Sequence, residues 1–123
     1  MKKIYKSVSN ESTTTTLSME NYTETADGLW YRRDLSNNRY KVGFTDFQNS
    51  LGDIVLIELP TVDVIYSAGQ ICGSVEGVKN VVGIYAPLTG KVVLVNDYLV
   101  GNLEILNQDP YGRGWIFEIV AES

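Results

Sequence analysis

The chain has 123 residues, of which 44% are hydrophobic and 20% charged, with a net charge of -5, one cysteine and no histidine. That length supports one domain with a buried core, while the absence of a long apolar run rules out a membrane-spanning helix and the acidic balance argues against nucleic acid, which is bound mainly through Lys and Arg. Lack of histidine removes Ser–His and Cys–His catalysis and histidine zinc sites, and Cys72 alone makes neither an internal disulfide nor a thiolate metal cluster.

Residues 1–21 differ from the rest. Lys2, Lys3 and Lys6 precede the first acid, Glu11, and Ser12 to Thr16 is a run of hydroxyl residues. Too few apolar groups are present to offset the entropy of ordering, so a disordered tail is expected, followed by a folded domain over 22–123. The tail has no apolar segment of a secretory signal. A basic, acid-poor transit peptide stays open as the alternative, although arginine is missing.

A first strand ends at Arg33 after Leu29-Trp30-Tyr31. Ser36-Asn37-Asn38 reads as a hairpin turn into a second strand, Arg39 to Phe44. Thr45 to Gly52 reads as a short helix: Thr45 is the N-cap, Gln48 completes a capping box, Phe47 and Leu51 share a face, and Gly52 is the stop. Asp53 to Leu59 reads as a buried strand ended by Pro60, and Thr61 to Ala68 as a link with a short strand. Gly69 to Val75 and Val81 to Pro87 then form the two arms of a hairpin around Glu76-Gly77-Val78-Lys79-Asn80. A turn at Leu88-Thr89-Gly90 leads into a strand from Lys91 to Asn96. One helical turn is expected over Leu103 to Asn107 and a last strand over Trp115 to Val120. Many short strands with little helix argue a closed or sandwiched β fold. Its core should include Trp30, Val42, Phe44, Ile54, Leu56, Val75, Ile84, Val93, Val95, Ile116 and Ile119, and Cys72, in an apolar strand, reads as a small core residue and not a nucleophile.

Lys79 is the candidate functional residue. A tight hairpin fixes its turn and projects one nucleophilic amine into water, where a modifying enzyme can reach it. A lysine in a turn is also the ordinary way to solvate a turn. Lys91 is the next candidate, but it falls inside a strand.

The surrounding residues carry a resemblance. Glu76-Gly77-Val78-Lys79, then Pro87-Leu88-Thr89-Gly90, then the valine-rich strand to Asn96 resemble the lipoyl-lysine segment of the H protein of the glycine cleavage system. Gly43-Phe44-Thr45-Asp46, Leu51-Gly52-Asp53-Ile54-Val55 with Glu58-Leu59-Pro60, and Asn107 to Gly112 with Gly114-Trp115 are similar to further motifs of that family, in the same order. The resemblance runs from about Tyr22 to Ile119. It implies the mostly β barrel-sandwich hybrid of lipoyl and biotinyl carriers, with one or two short helices. It also implies lipoic acid joined as an amide to Lys79, with Glu76, Gly77 and Val78 as the attachment motif. Biotin carriers place methionine on both sides of the lysine; Val78 and Asn80 stand there, which favours lipoate.

The implied role is a carrier without catalysis of its own. It takes an aminomethyl group from glycine decarboxylase to the aminomethyltransferase, is reoxidised by dihydrolipoamide dehydrogenase, and is loaded by a lipoate ligase or a lipoyl/octanoyl transferase. Its place would be the cytoplasm of a bacterium or the mitochondrial or related matrix of a eukaryote. The family holds the loaded arm in a surface cleft, and the sequence departs from the pattern there. Gly77 replaces a serine, Gly83 an acidic residue, and Gly28-Leu29-Trp30 a His-Glu-Trp, with Asp27 or Glu24 as substitute carboxylates. These changes motivate the alternative of an H-like carrier or lipoyl relay outside glycine cleavage. An interaction domain with unmodified Lys79 is the rival from another class. The family's glycine near Val62-Asp63-Val64 is also missing, so that turn must be made differently.

Overall fold

A computed structural model describes residues 22–34, 38–45 and 48–122. The expected tail, most of the Ser36-Asn37-Asn38 turn, and Asp46-Phe47 with the Gln48 half of the capping box lie outside these residues. Nine strands are described: β1 (Tyr22–Glu24), β2 (Leu29–Arg33), β3 (Arg39–Phe44), β4 (Ile54–Glu58), β5 (Ile65–Tyr66), β6 (Ile71–Gly77), β7 (Val81–Tyr85), β8 (Gly90–Val95) and β9 (Phe117–Ala121). They form a six-stranded sheet in the order β1-β2-β3-β9-β8-β5 and a three-stranded sheet in the order β4-β6-β7. Every pairing is antiparallel. Short helices α1 (Gln48–Leu51) and α2 (Ile105–Gln108), with a 3-10 turn over Asp97–Gly101, complete the barrel-sandwich arrangement.

The core lies between the sheets. Val42, Phe44, Val92, Phe117 and Ile119 of the large sheet face Ile57, Val75 and Ile84 of the small one. Strict alternation along β9 produces this: Phe117 and Ile119 are buried, Glu118 and Val120 only partly so. Trp30, Val42, Phe44, Val75, Ile84, Ile116 and Ile119 are buried as expected.

Leu56 is not: it is 50% exposed, as is Val55. Two features cause this. β4 is an edge of the small sheet, and its register slips between Ile54 and Leu56, leaving Val55 as an extra residue. A bulge of this kind turns over the side-chain alternation. Ile54 is thereby half-buried. A second bulge between Val92 and Leu94 puts Val92 in the core and leaves Val93 and Val95 half-buried, correcting the expectation for both. The buried residues that alternation did not point to are Leu51, Leu99, Ile105 and Leu106, which close the ends of the sandwich from loops and helical turns.

The turn before β5 is indeed made without glycine. Asp63 adopts φ +72°, and its N–H donates to the Val92 carbonyl at 2.8 Å. Aspartate is among the few residues that tolerate this left-handed conformation. Thr45, expected as an N-cap, gives its hydroxyl and its N–H to the Gly28 carbonyl at 3.0 and 2.9 Å, tying the start of α1 to the β1–β2 turn.

Candidate functional site

The hairpin β6–β7 brings the sequence-predicted residues together at one tip. Val75 pairs with Val82 and Glu76 with Val81, and Val78-Lys79-Asn80 form the reversal. Gly77 N–H donates to the Asn80 carbonyl at 2.8 Å, and the Asn80 side-chain oxygen accepts from Val81 N–H at 2.8 Å. Asn80 therefore shapes the turn, the structural role expected of a turn-flanking polar residue. Lys79 and Val78 are exposed, Val78 by 67%. Glu76 faces outward on the surface of the small sheet, in one cross-strand row with Leu56 and Val81.

The tip does not float. Val78 N–H donates to the Asp53 carbonyl at 2.9 Å, and Lys79 N–H to the Leu51 carbonyl at 3.0 Å. The loop from α1 to β4 is thus a brace for the lysine. Gly52 makes the brace possible in two ways. Its φ of +70° turns the Leu51 and Asp53 carbonyls toward the hairpin. It also has no Cβ where the Lys79 stem crosses: one there would meet the Val78 Cγ2 at 2.9 Å and the Lys79 Cγ at 3.2 Å. Gly77 is buried against the same loop, where a Cβ would stand 2.3 Å from the Leu51 carbonyl oxygen. A serine side chain does not fit at that position in this backbone. Sequence reasoning read Leu51-Gly52-Asp53 as a helix stop and a strand start. Its bracing role rests on backbone bonds between distant segments, which no local pattern signals.

The other departures have structural explanations. Leu29 is fully buried in the core, and Gly83 lies under Ile71 and the Tyr85 ring, where a Cβ would come within 2.9 and 3.0 Å of them. Glu24 accepts the Tyr111 hydroxyl at 3.3 Å, and Asp27 sits in the β1–β2 turn. No described hydrogen bond joins either carboxylate to the Lys79 hairpin. Lys91 is set within β8, paired to Ile65 on one side and Val120 on the other, and is not at a turn. Cys72 is the extra residue of a β6 bulge; burial pushes its thiol up to about 12, so it stays protonated at neutral pH.

Beside the brace, a groove of about 580 Å³ opens between the start of β4 and the segment from the 3-10 turn through α2. Asp53, Ile54, Val100, Leu103, Glu104, Asn107 and Gln108 line it, with Gly101.

The family model described as Glycine cleavage H-protein matches residues 20–123. A glycine cleavage system H protein of Mycolicibacterium gilvum is 46% identical over 103 residues, covering 83% of this chain and 76% of that protein. The protein of the same name from Mycobacterium tuberculosis is 42% identical over 100 residues, covering 80% and 74%. Among solved structures, a glycine cleavage system H protein from Mycobacterium marinum superimposes with a TM-score of 0.77 at 33% identity, covering 84% of this chain and 85% of that one.

Proposed function

The chain belongs to the glycine cleavage H-protein family, and on that premise we propose that residues 22–123 form a carrier domain bearing lipoate as an amide on Lys79. In this reading it conveys an aminomethyl group between glycine decarboxylase and the aminomethyltransferase of the glycine cleavage system, and has no turnover of its own. The relatives named are all glycine cleavage system H proteins, which favours this reading over a relay outside that system. They come from bacteria, and for a bacterial host the proposed place of action is the cytoplasm.

The observation that carries the proposal is the fastened tip: an exposed lysine amine whose own backbone N–H is held by a second segment. The residues fit a covalent acyl group. The amine is reachable, the stem lies over a glycine with no side chain in its way, and Glu76 forms no ion pair with it among the described residues. Bound there, lipoate supplies a cyclic disulfide that accepts a carbon fragment together with two electrons; the protein supplies presentation. Glu76, Gly77 and Val78 give the attaching enzyme, a lipoate ligase or a lipoyl/octanoyl transferase, a rigid strand end to read. Dihydrolipoamide dehydrogenase would reset the arm.

Peptide mass spectrometry on protein from its native host tests this directly. A lipoyl increment is expected on the peptide containing Lys79 and is lost in Lys79→Arg, which keeps the charge but offers a poor acyl acceptor. A Lys79→Arg protein that is still lipoylated would move the site elsewhere, and an unmodified Lys79 in a lipoylating cell would favour an interaction domain.

A further inference from the structure

We propose that β7 is a self-complementary edge through which two copies of this chain pair, antiparallel, about a two-fold axis at Gly83. The pairing is independent of lipoylation.

The first argument is the state of the sheet edges. β1 and β5 end the large sheet, and β4 and β7 the small one. An edge is a row of unpaired N–H and C=O groups, and folded proteins blunt it with charge, shortness or a bulge. β1 has three residues and carries Glu24, β5 has two residues, and β4 carries both Glu58 and its bulge. β7 has five residues, Val81-Val82-Gly83-Ile84-Tyr85, with no charge and no proline. Among the described residues its only strand partner is β6. The bond from Gly77 N–H to the Asn80 carbonyl fixes which groups point outward, because bonding alternates along an antiparallel ladder. Val82 and Ile84 bond to β6, while Val81, Gly83 and Tyr85 turn their N–H and C=O groups to the open side. The Asn80 side chain takes the Val81 N–H. The N–H groups of Gly83 and Tyr85 are left for a partner strand.

The second argument is why that partner is another copy. With Gly83 opposite Gly83, Val81 falls opposite Tyr85 on both sides of the axis, a β-branched and aromatic pair of the kind that stabilises sheets. The glycines exchange bonds, and each Tyr85 N–H reaches the facing Val81 carbonyl with Asn80 undisturbed. The outer face matches as well. Ile71, beside Tyr85 on β6, is 55% exposed and Val81 56% exposed. Pairing lines up Ile71, Tyr85 and Val81 of the second copy in one row, so that each copy covers the other's exposed apolar groups.

Charge decides in the same direction. Each chain has a net charge of -5, so two copies repel at a distance. β7 is the edge of that length where no charge meets its own likeness. Salt screens the long-range repulsion and should strengthen the pair, the reverse of a charge-driven contact. Pairing consumes both β7 edges and therefore closes at a dimer. The two Lys79 tips then lie about 26 Å apart along the strands, at about 3.3 Å per residue, and neither is in the paired stretch. An edge about 17 Å long belongs with the interfaces under about 1,200 Å² that hold transient pairs.

The test uses the full chain at about 20 µM and about 1 mM, concentrations that bracket a dissociation constant of about 100 µM for so small a contact. Sedimentation equilibrium is expected to show a mean mass above the 13.7 kDa of one chain at the higher concentration, and more so as salt is raised. Amide hydrogen exchange at Gly83 and Tyr85 should slow about fourfold there, following the fall in free chain. Gly83→Asp sets two carboxylates directly opposite each other and should abolish both effects at low salt. A Cβ at 83 meets only the ends of the Ile71 and Tyr85 side chains, which can turn aside, so the fold is expected to persist. Exchange is read on the unaltered chain, so the test stands even where the variant fails to fold. A mass that stays constant, edge exchange that ignores concentration, or association at full strength in folded Gly83→Asp would overturn the proposal.

Discussion

Position 77 sets how closely the hairpin approaches its brace. The Leu51 carbonyl oxygen that a Cβ at 77 would strike also accepts the Lys79 N–H. Gly77→Ser must push the tip off that oxygen. It is expected to lower stability by about 1–3 kcal/mol, the usual cost of overpacking, read from urea unfolding. The same variant should be lipoylated more slowly, because the lysine loses its anchor; Gly77→Ala with unchanged stability would show that the loop yields instead. Asp63 offers a contrast at the same scale. Its φ of +72° excludes β-branched side chains at little gain to the fold. Asp63→Val should cost about 1–2 kcal/mol by thermal unfolding, whereas Asp63→Gly should not destabilise.

Among the elements, the β2–β3 pair shows what motifs outside the lysine hairpin are for. Trp30 is paired across the strands with Gly43 and is fully buried on the sheet face away from the main core. Its indole N–H donates to the Pro110 carbonyl at 3.0 Å, and its ring stacks on Tyr111 at 5.7 Å. A Cβ at Gly43 would lie 2.5 Å from the indole. Trp30, Gly43 and Pro110-Tyr111 therefore form one clasp that fixes the loop following α2, and α2 helps to line the groove. Gly43→Ala should destabilise by about 1–3 kcal/mol and alter the near-ultraviolet dichroism of Trp30, since the ring has nowhere to retreat. Most strands were legible because alternation of side chains is a local property of the chain. The bulges in β4 and β8 were not: one extra residue reverses the alternation with no mark in composition, which is why the alternation pattern places Leu56 inside and leaves out Val92. Lys79 was legible in the same local sense, as a basic residue between two strands in a resembling motif. The Leu51-Asp53 brace was not, because its bonds are backbone to backbone and independent of side-chain identity, Gly52 excepted.

At the scale of the whole molecule, two weak acids link the stability of the fold to alkaline pH. Burial pushes the Cys72 thiol from 9.0 to about 12, and burial, then the neighbouring Tyr22 and Glu24, holds the Tyr111 phenol well above its usual range. Both stay protonated in the fold at pH values where the unfolded chain gives up its protons. The Cys72 contribution is complete below pH 9.0 and is lost as pH rises toward about 12, and that of Tyr111 is complete below pH 10.0 and is lost at higher pH. Urea midpoints should therefore decline above pH 9.0, and Cys72→Ala and Tyr111→Phe should each flatten the decline. A decline unchanged in both variants would assign it to other groups. On the proposed function, the same protonated thiol makes Cys72 a poor attacker of the cyclic disulfide of an oxidised arm.

The fastening of Val78 and Lys79 to Asp53 and Leu51 makes the proposed attachment site discontinuous along the chain. A nascent or heat-damaged chain has the same four-residue motif but not the same presentation. An attaching enzyme that requires the braced tip therefore inspects the outcome of folding, not only the sequence. On the proposed function, each lipoyl group is a stamp placed after folding and kept for the life of the molecule. The stamped fraction of the cellular pool becomes a running record of how many chains have passed.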